Sequence, residues 1–245
     1  MNNYEDMANR AYKNNHYIFS DFLSLSEQED VYKEAPAFKH VPFEMWGGFS
    51  DAERKMLRFG NADYFGYSEE FPFVCLKISP INLKFAAEVT HRDYLGALMS
   101  LGIERRCIGD IIVDKKCAFV FCVNRISDYI IDSLTSIKHN TVKAEIVDFS
   151  DDFISQADGK PITIQVASMR CDAIVAKAFN LSRKDAASLF LEKHIAVNGR
   201  LIENNDFNIS GPASISVRGY GKIKITNIGG LTRKGNQILE LELFK

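Results

Sequence analysis

Between Phe71 and Phe149 six apolar runs follow one another in an order that few folds can satisfy. Phe73–Ser79 reads as a strand, and Asp93–Leu101 has the spacing of an apolar helix. Asp110–Val113 and Cys117–Val123 are strands joined through Asp114, Lys115 and Lys116. Ile126–Ile137 again carries apolar residues at helical spacing, and Val142–Val147 closes the series as a strand. The order is β-α-β-β-α-β, which makes the chain α+β.

That order is the split arrangement of ferredoxin-like and RRM-like domains, so residues 71–150 are expected to form one such domain. RRM-like domains bind RNA through exposed aromatics on their sheet. Phe119 and Phe121 lie two apart on one strand face, but the run has neither basic nor Gly-rich character, and buried core is the better reading of both. Residues 1–70 read as a small α/β domain. Helices are expected over Asp6–Asn15 and Ser26–Ala35, the second opened by a capping box from Ser26 to Glu29. A strand over Val41–Trp46 is followed by Gly47 and Gly48, then a helix from Asp51 to Phe59 capped by Ser50. Asp151, Asp152, Ala157, Asp158, Gly159 and Pro161 mark a linker, which with the entering strand Ile162–Val166 fills residues 151–167. Residues 168–245 form the last domain.

Charge divides unevenly along this plan. The whole chain carries −2, but from Ser168 onward twelve Lys and Arg against seven acids leave +5, and the rest is −7. Attraction to phosphates follows local charge, so any polyanion contact belongs in the C-terminal third.

Four separated blocks in that third carry more than charge. Arg170-Cys-Asp172 comes first, then Leu181-Ser-Arg-Lys-Asp185-Ala186, Ile195-Ala-Val-Asn-Gly199-Arg200 and Ile215-Ser-Val-Arg-Gly219. Ser182 suits an N-cap with Asp185 at the third helical position, opening a helix from Arg183 to about Lys193. Arg183 and Lys184 then project from a helix end that favours phosphate. Asn198 and Gly199 support a tight turn of positive φ before Arg200. Arg218 adds a cation on a later strand. Over Met169–Ile225 these blocks resemble the S-four-type (αL) RNA-binding domain. Two departures, Pro212-Ala213 in place of Gly-Asp and Lys193 in place of a helix-ending Gly, touch turns rather than cations. The expected RNA-binding residues are Arg170, Lys177, Ser182, Arg183, Lys184, Asn198, Gly199, Arg200, Arg218 and Lys222. Asp172 is expected to pair with Arg170 or cap a helix.

The wider chain resembles one family. Lys84-Phe85, His91-Arg92-Asp93-Tyr94-Leu95-Gly96, Leu101-Gly102-Ile103-Glu104-Arg105 and Ile108-Gly109-Asp110, with Gly47-Gly48 and Glu53-Arg54-Lys55 upstream, are similar to the YlmH family of bacterial RNA-binding proteins. The resemblance implies a ribosome-associated factor acting in translation quality control on obstructed large subunits, with ribosomal RNA, tRNA or both as its structured RNA partner.

Other chemistries find little support. The five cysteines show no C-x-x-C pair and the five histidines are scattered, so no metal is expected. His91-Arg92-Asp93 suggests a kinase loop, but the required Asn five residues on is Leu98. Gly219-Tyr-Gly221-Lys222 runs into an extended segment rather than a helix, which excludes a phosphate loop. No apolar run approaches a membrane span, and Met1-Asn-Asn-Tyr-Glu-Asp lacks a secretory signal. The expectation is a cytoplasmic monomer with no catalytic residues and no cofactor. Two alternatives stay open: an RNA-modifying enzyme of pseudouridine synthase or methyltransferase type anchored by the last domain, and an RNA-linked protein-interaction scaffold.

Overall fold

A computed structural model describes residues 4–84, 86–114, 116–149 and 159–244. Phe85, Lys115, Lys245 and the linker positions 151–158 lie outside the described residues. The chain is a mixed α+β protein with three sheets among the described residues, and it divides into two compact units, Met1–Ile154 and Ser155–Lys245. No helix among the described residues is long and apolar enough to cross a membrane.

The first unit begins with helix α1 (Tyr4–Asn14), strand β1 (Ile18–Leu23) and helix α2 (Leu25–Glu34). The capping box of α2 lies two residues earlier than its sequence suggests. Ser24, not Ser26, is the N-cap, and its N–H and hydroxyl both donate to the Glu27 carboxylate at 2.8 and 2.7 Å. This register turns Gln28 and Val31 into the core, three apart on one face. Strands β2 (Phe43–Trp46) and β3 (Lys55–Phe59) complete a sheet ordered β1-β3-β2. The helix expected over Asp51–Phe59 is therefore absent. Ala52, Met56 and Phe59 have helical spacing and all are buried, but β3 is the central strand, hydrogen-bonded on both sides. Short apolar runs fit either period, and long-range pairing decides between them. Helix α3 (Ala62–Phe65), capped by Asn61, leads out of this sheet.

The second sheet holds β4 (Phe73–Pro80), β5 (Ile108–Asp114), β6 (Cys117–Val123), β7 (Ser136–Ile137) and β8 (Asn140–Val147), ordered β5-β6-β4-β8-β7 with every pair antiparallel. Helix α4 (His91–Ser100) starts at Thr90, whose N–H and hydroxyl donate to Asp93. Helix α5 (Ser127–Ser133) is shorter than the expected Ile126–Ile137, because the last residues of that run leave the helix to form β7 against β8.

One apolar cluster crosses from the first sheet to the second. Phe22, Phe49, Ala52 and Met56 are buried together with Leu76, Tyr94, Leu98, Val120 and Phe121. Polar contacts reinforce it. The backbone N–H groups of Glu53 and Arg54 donate to the Asp110 carboxylate at 2.6 and 3.1 Å, and Arg54 donates from its guanidinium to the carbonyls of Ile108 and Phe22 at 2.9 and 2.7 Å. Burial pushes the Asp110 carboxyl up to about 6 despite those two donors.

The second unit is built on a sheet ordered β11-β10-β12-β13-β14-β9. Its strands are β9 (Lys160–Val166), β10 (Ile195–Val197), β11 (Arg200–Leu201), β12 (Ser214–Val217), β13 (Gly221–Leu231) and β14 (Gln237–Phe244). Helices α6 (Cys171–Ala178) and α7 (Arg183–Leu191) share its apolar core, in which Ile174, Phe190, Ile215, Ile223 and Leu239 are fully buried.

Candidate RNA-binding interface

The second unit gathers most of the expected cations where α6 hands over to α7. Asn180 adopts a φ of 56° to end α6, a conformation that Asn tolerates better than most residues. Ser182 then caps α7 by accepting the Asp185 N–H at 3.1 Å, while its hydroxyl donates to the Asp185 carboxylate at 2.7 Å. Asp185 thus places a negative charge at the end of α7 that would otherwise favour an anion. A phosphate here would be held by the exposed side chains of Arg183 and Lys184 rather than by the helix end itself.

The same corner meets the sheet through Phe179 and Tyr220, whose rings pack edge to face at 5.9 Å. Arg218 and Lys222 flank Tyr220, and Lys177 lies in the last turn of α6. The Arg218 N–H donates to the His194 carbonyl at 2.9 Å, fixing the start of this connection beside the end of α7. The Phe179–Tyr220 contact thus sets the turn before Arg183 and Lys184 against the Arg218–Lys222 connection, whose Tyr220 is 41% exposed.

Besides the cap Ser182, three more of the expected residues have structural duties. Arg170 holds Asp172 through two of its guanidinium nitrogens, Nε at 3.0 Å and Nη2 at 2.8 Å, and Asp172 is only 4% exposed. A buried carboxylate requires such a partner. Asn198 and Gly199 form the turn between β10 and β11 at φ 50° and 75°. The Asn198 side-chain oxygen accepts the Ser214 N–H at 2.8 Å, and its own N–H donates back to the Ser214 carbonyl at 2.8 Å. Arg200 leaves that turn exposed, at the far end of β10 from Arg218.

The aromatic pair on β6 is closed off. Phe121 is 2% and Phe119 4% exposed, and Phe121 lies within aromatic contact of Phe49, Phe73 and Phe149. Buried core is what the structure shows for both rings. Burial also pushes the Cys75, Cys122 and Cys171 thiols up to about 12, far from a nucleophilic thiolate. Among the described residues no group of His, Cys, Asp and Glu could hold a metal ion.

These features define an α+β protein of two units, with the net positive charge in residues 168–245 of the second. Residues 67–151 match the family model described as the putative RNA-binding domain in YlmH. The middle third of the chain is thereby similar to the YlmH family. It is 28% identical over 218 residues to the ribosome-associated protein quality control protein P2 of Bacillus subtilis, covering 88% of this chain and 82% of that one. Among solved structures it is similar to the cell division protein ylmH from Streptococcus pneumoniae, at 18% identity and a TM-score of 0.48, over 58% of this chain and 85% of that one.

The family match falls on the middle of the chain, where the residues by themselves left RNA contact open. Cations do gather at one end of the second sheet. The Lys116 ammonium donates to the Leu83 carbonyl at 2.8 Å beside Lys84, and Lys138 pairs with Asp93 at 2.7 Å in the first turn of α4, next to Arg92. Sequence spacing gave no sign of this grouping, since residues 84 to 138 meet only through the sheet.

Proposed function

We propose that this protein is a ribosome-associated RNA-binding factor rather than an enzyme, and that its C-terminal unit is an S-four-type domain gripping ribosomal RNA or tRNA on large subunits during translation quality control. The observation that carries the reading is the cationic corner where Arg183 and Lys184 on α7 adjoin the Arg218–Lys222 connection through the Phe179–Tyr220 contact. The likeness to the Bacillus subtilis protein named for ribosome-associated quality control supports the cellular setting. The strand order β5-β6-β4-β8 supports a ferredoxin-like middle domain. With Phe119 and Phe121 buried, that domain would meet RNA through its cationic end and not by stacking on its sheet.

Two surfaces of modest affinity in one chain raise each other's effective concentration, which turns general RNA attraction into preference for a composite site. The test is sedimentation of cell lysate through sucrose gradients, probing each fraction for the protein and for tRNA. The expected result is co-migration with large subunits, strongest where tRNA is retained. Protein confined to small-subunit or ribosome-free fractions, even with stalled large subunits enriched, overturns the ribosomal reading.

A further inference from the structure

The hairpin β13–β14 carries a charge pattern that the motif blocks leave unused. Between Asp206 and Glu240 the chain has no acid, while Arg218, Lys222, Lys224, Arg233 and Lys234 are all cationic. Two other cations of this unit face carboxylates, Arg170 on Asp172 and Lys193 on Glu203. At the hairpin tip Arg233 and Lys234 are both exposed, and no ion pair involves them among the described residues.

The tip is ordered by its own hydrogen bonds. The Thr232 N–H donates to the Asn236 carbonyl at 2.8 Å, the Gly235 N–H to the Thr232 carbonyl at 2.9 Å, and the Asn236 N–H to the Thr232 hydroxyl at 3.0 Å. Gly235 takes a φ of 79° to close the turn. The Gln237 side chain also donates across the hairpin to the Gly229 carbonyl. Two adjacent cations on a pre-formed turn lose little freedom on binding.

The strand leading to the tip is open on one side. β12 pairs with β13 from Gly221 to Lys224 and the Ile225 N–H still donates to the Ala213 carbonyl, but past Ile225 the strand pairs with β14 alone among the described residues. Along this open edge stand Gly229 and Gly230. Neither adopts a positive φ, and a Cβ on Gly230 would meet nothing within 4 Å. The pairing with β14 shifts register between Ile228 and Leu231, so these glycines sit at an irregular step of the strand, and interior packing does not call for glycine at 230. Glycine in a strand often marks close approach by another backbone. Leu231, 68% exposed, continues the same edge.

We infer that the tip Thr232–Gly235 and the glycine edge before it form a second RNA contact, holding phosphodiester backbone at a place separate from the α7 corner. The inference rests on the RNA-binding reading of this unit. The separation follows from the register: Phe244 lies opposite Lys222 near the corner, and β14 runs from there to Gln237 at the tip. Seven strand rises amount to roughly 23 Å, so the two places reach different phosphates.

The experiment uses the full chain with protein-free large-subunit ribosomal RNA as probe, read by hydroxyl-radical footprinting and by affinity across a salt series. Arg233→Glu with Lys234→Glu should lose one block of protected backbone, keep the block that Arg183→Ala with Lys184→Ala removes, and lower the salt slope by about one to two. Gly230→Val should melt no lower than the unaltered chain yet weaken binding severalfold, because the added side chain holds the RNA backbone away. A tip variant whose footprint and slope match the unaltered chain, while the α7 variant is impaired, overturns this inference alone. Both variants binding as the unaltered chain does overturns the C-terminal RNA reading with it. Loss of the same nucleotides in both overturns the claim of two places.

Discussion

A Cβ on Gly48 would lie 2.1 Å from the Phe121 ring, and Gly48 itself adopts a φ of 99°. The loop after β2 is thereby pressed onto the β6 face that RRM-like domains leave open for RNA bases.

Gly48→Ala should therefore destabilise the first unit by about 2–4 kcal/mol, from overpacking against the ring and from the left-handed backbone. Phe121→Ala should cost a similar or larger amount, about 3–5 kcal/mol, because the ring is fully enclosed. Urea unfolding of both variants checks this. Wild-type stability in Phe121→Ala together with weakened RNA binding would instead make the ring a stacking platform.

Asp110 links stability to pH. Its carboxyl is raised by burial to about 6, above its unfolded value near 4. Between those values the folded state binds more protons than the unfolded chain, so this contribution favours folding at low pH and is lost as pH rises through about 6. Asp110→Asn should flatten the stability profile between pH 4 and 6 in denaturant titrations. Asp110→Ala should be worse at every pH, leaving the Glu53 and Arg54 N–H groups without their acceptor at a cost of about 1–3 kcal/mol each.

Lys193 ends α7 at a φ of 57°. Related domains commonly have glycine there, and an L-residue in this conformation costs about 1 kcal/mol. Lys193→Gly should raise the stability of the chain by up to about 1 kcal/mol. Its ion pair with Glu203, both side chains 53% exposed, offsets little of that gain. A lower melting temperature in Lys193→Gly would mean that the Lys side chain matters more than the backbone strain.

Arg170 and the pair Arg183/Lys184 should separate in their effects. Arg170→Ala strands the buried Asp172 carboxylate and should lower the melting temperature, partly recovered when Asp172→Ala is added. Arg183→Ala with Lys184→Ala should leave melting unchanged and lower the RNA salt slope by about one to two. An unchanged slope in that folded double variant moves the RNA site elsewhere.

Much of this was written locally. β6 runs over Cys117–Val123, the span its apolar residues mark out, and α7 begins after Ser182 because a cap needs only residues three positions away. The Asn198-Gly199 turn follows likewise from the tolerance of those two residues for positive φ. What only the tertiary structure decided depends on distant partners. Lys55–Phe59 is a strand and not a helix because β1 and β2 flank it, and the Ile126–Ile137 run is cut short because β8 draws its end into a sheet. The closure of Phe121 by Gly48 and Phe49 depends on residues more than seventy positions away in sequence, beyond the reach of any local period. The candidate site divides the same way: its cations are legible in sequence, but their meeting at the Phe179–Tyr220 corner, and the exposure of Arg233 and Lys234 on a bare edge, follow from strand register alone.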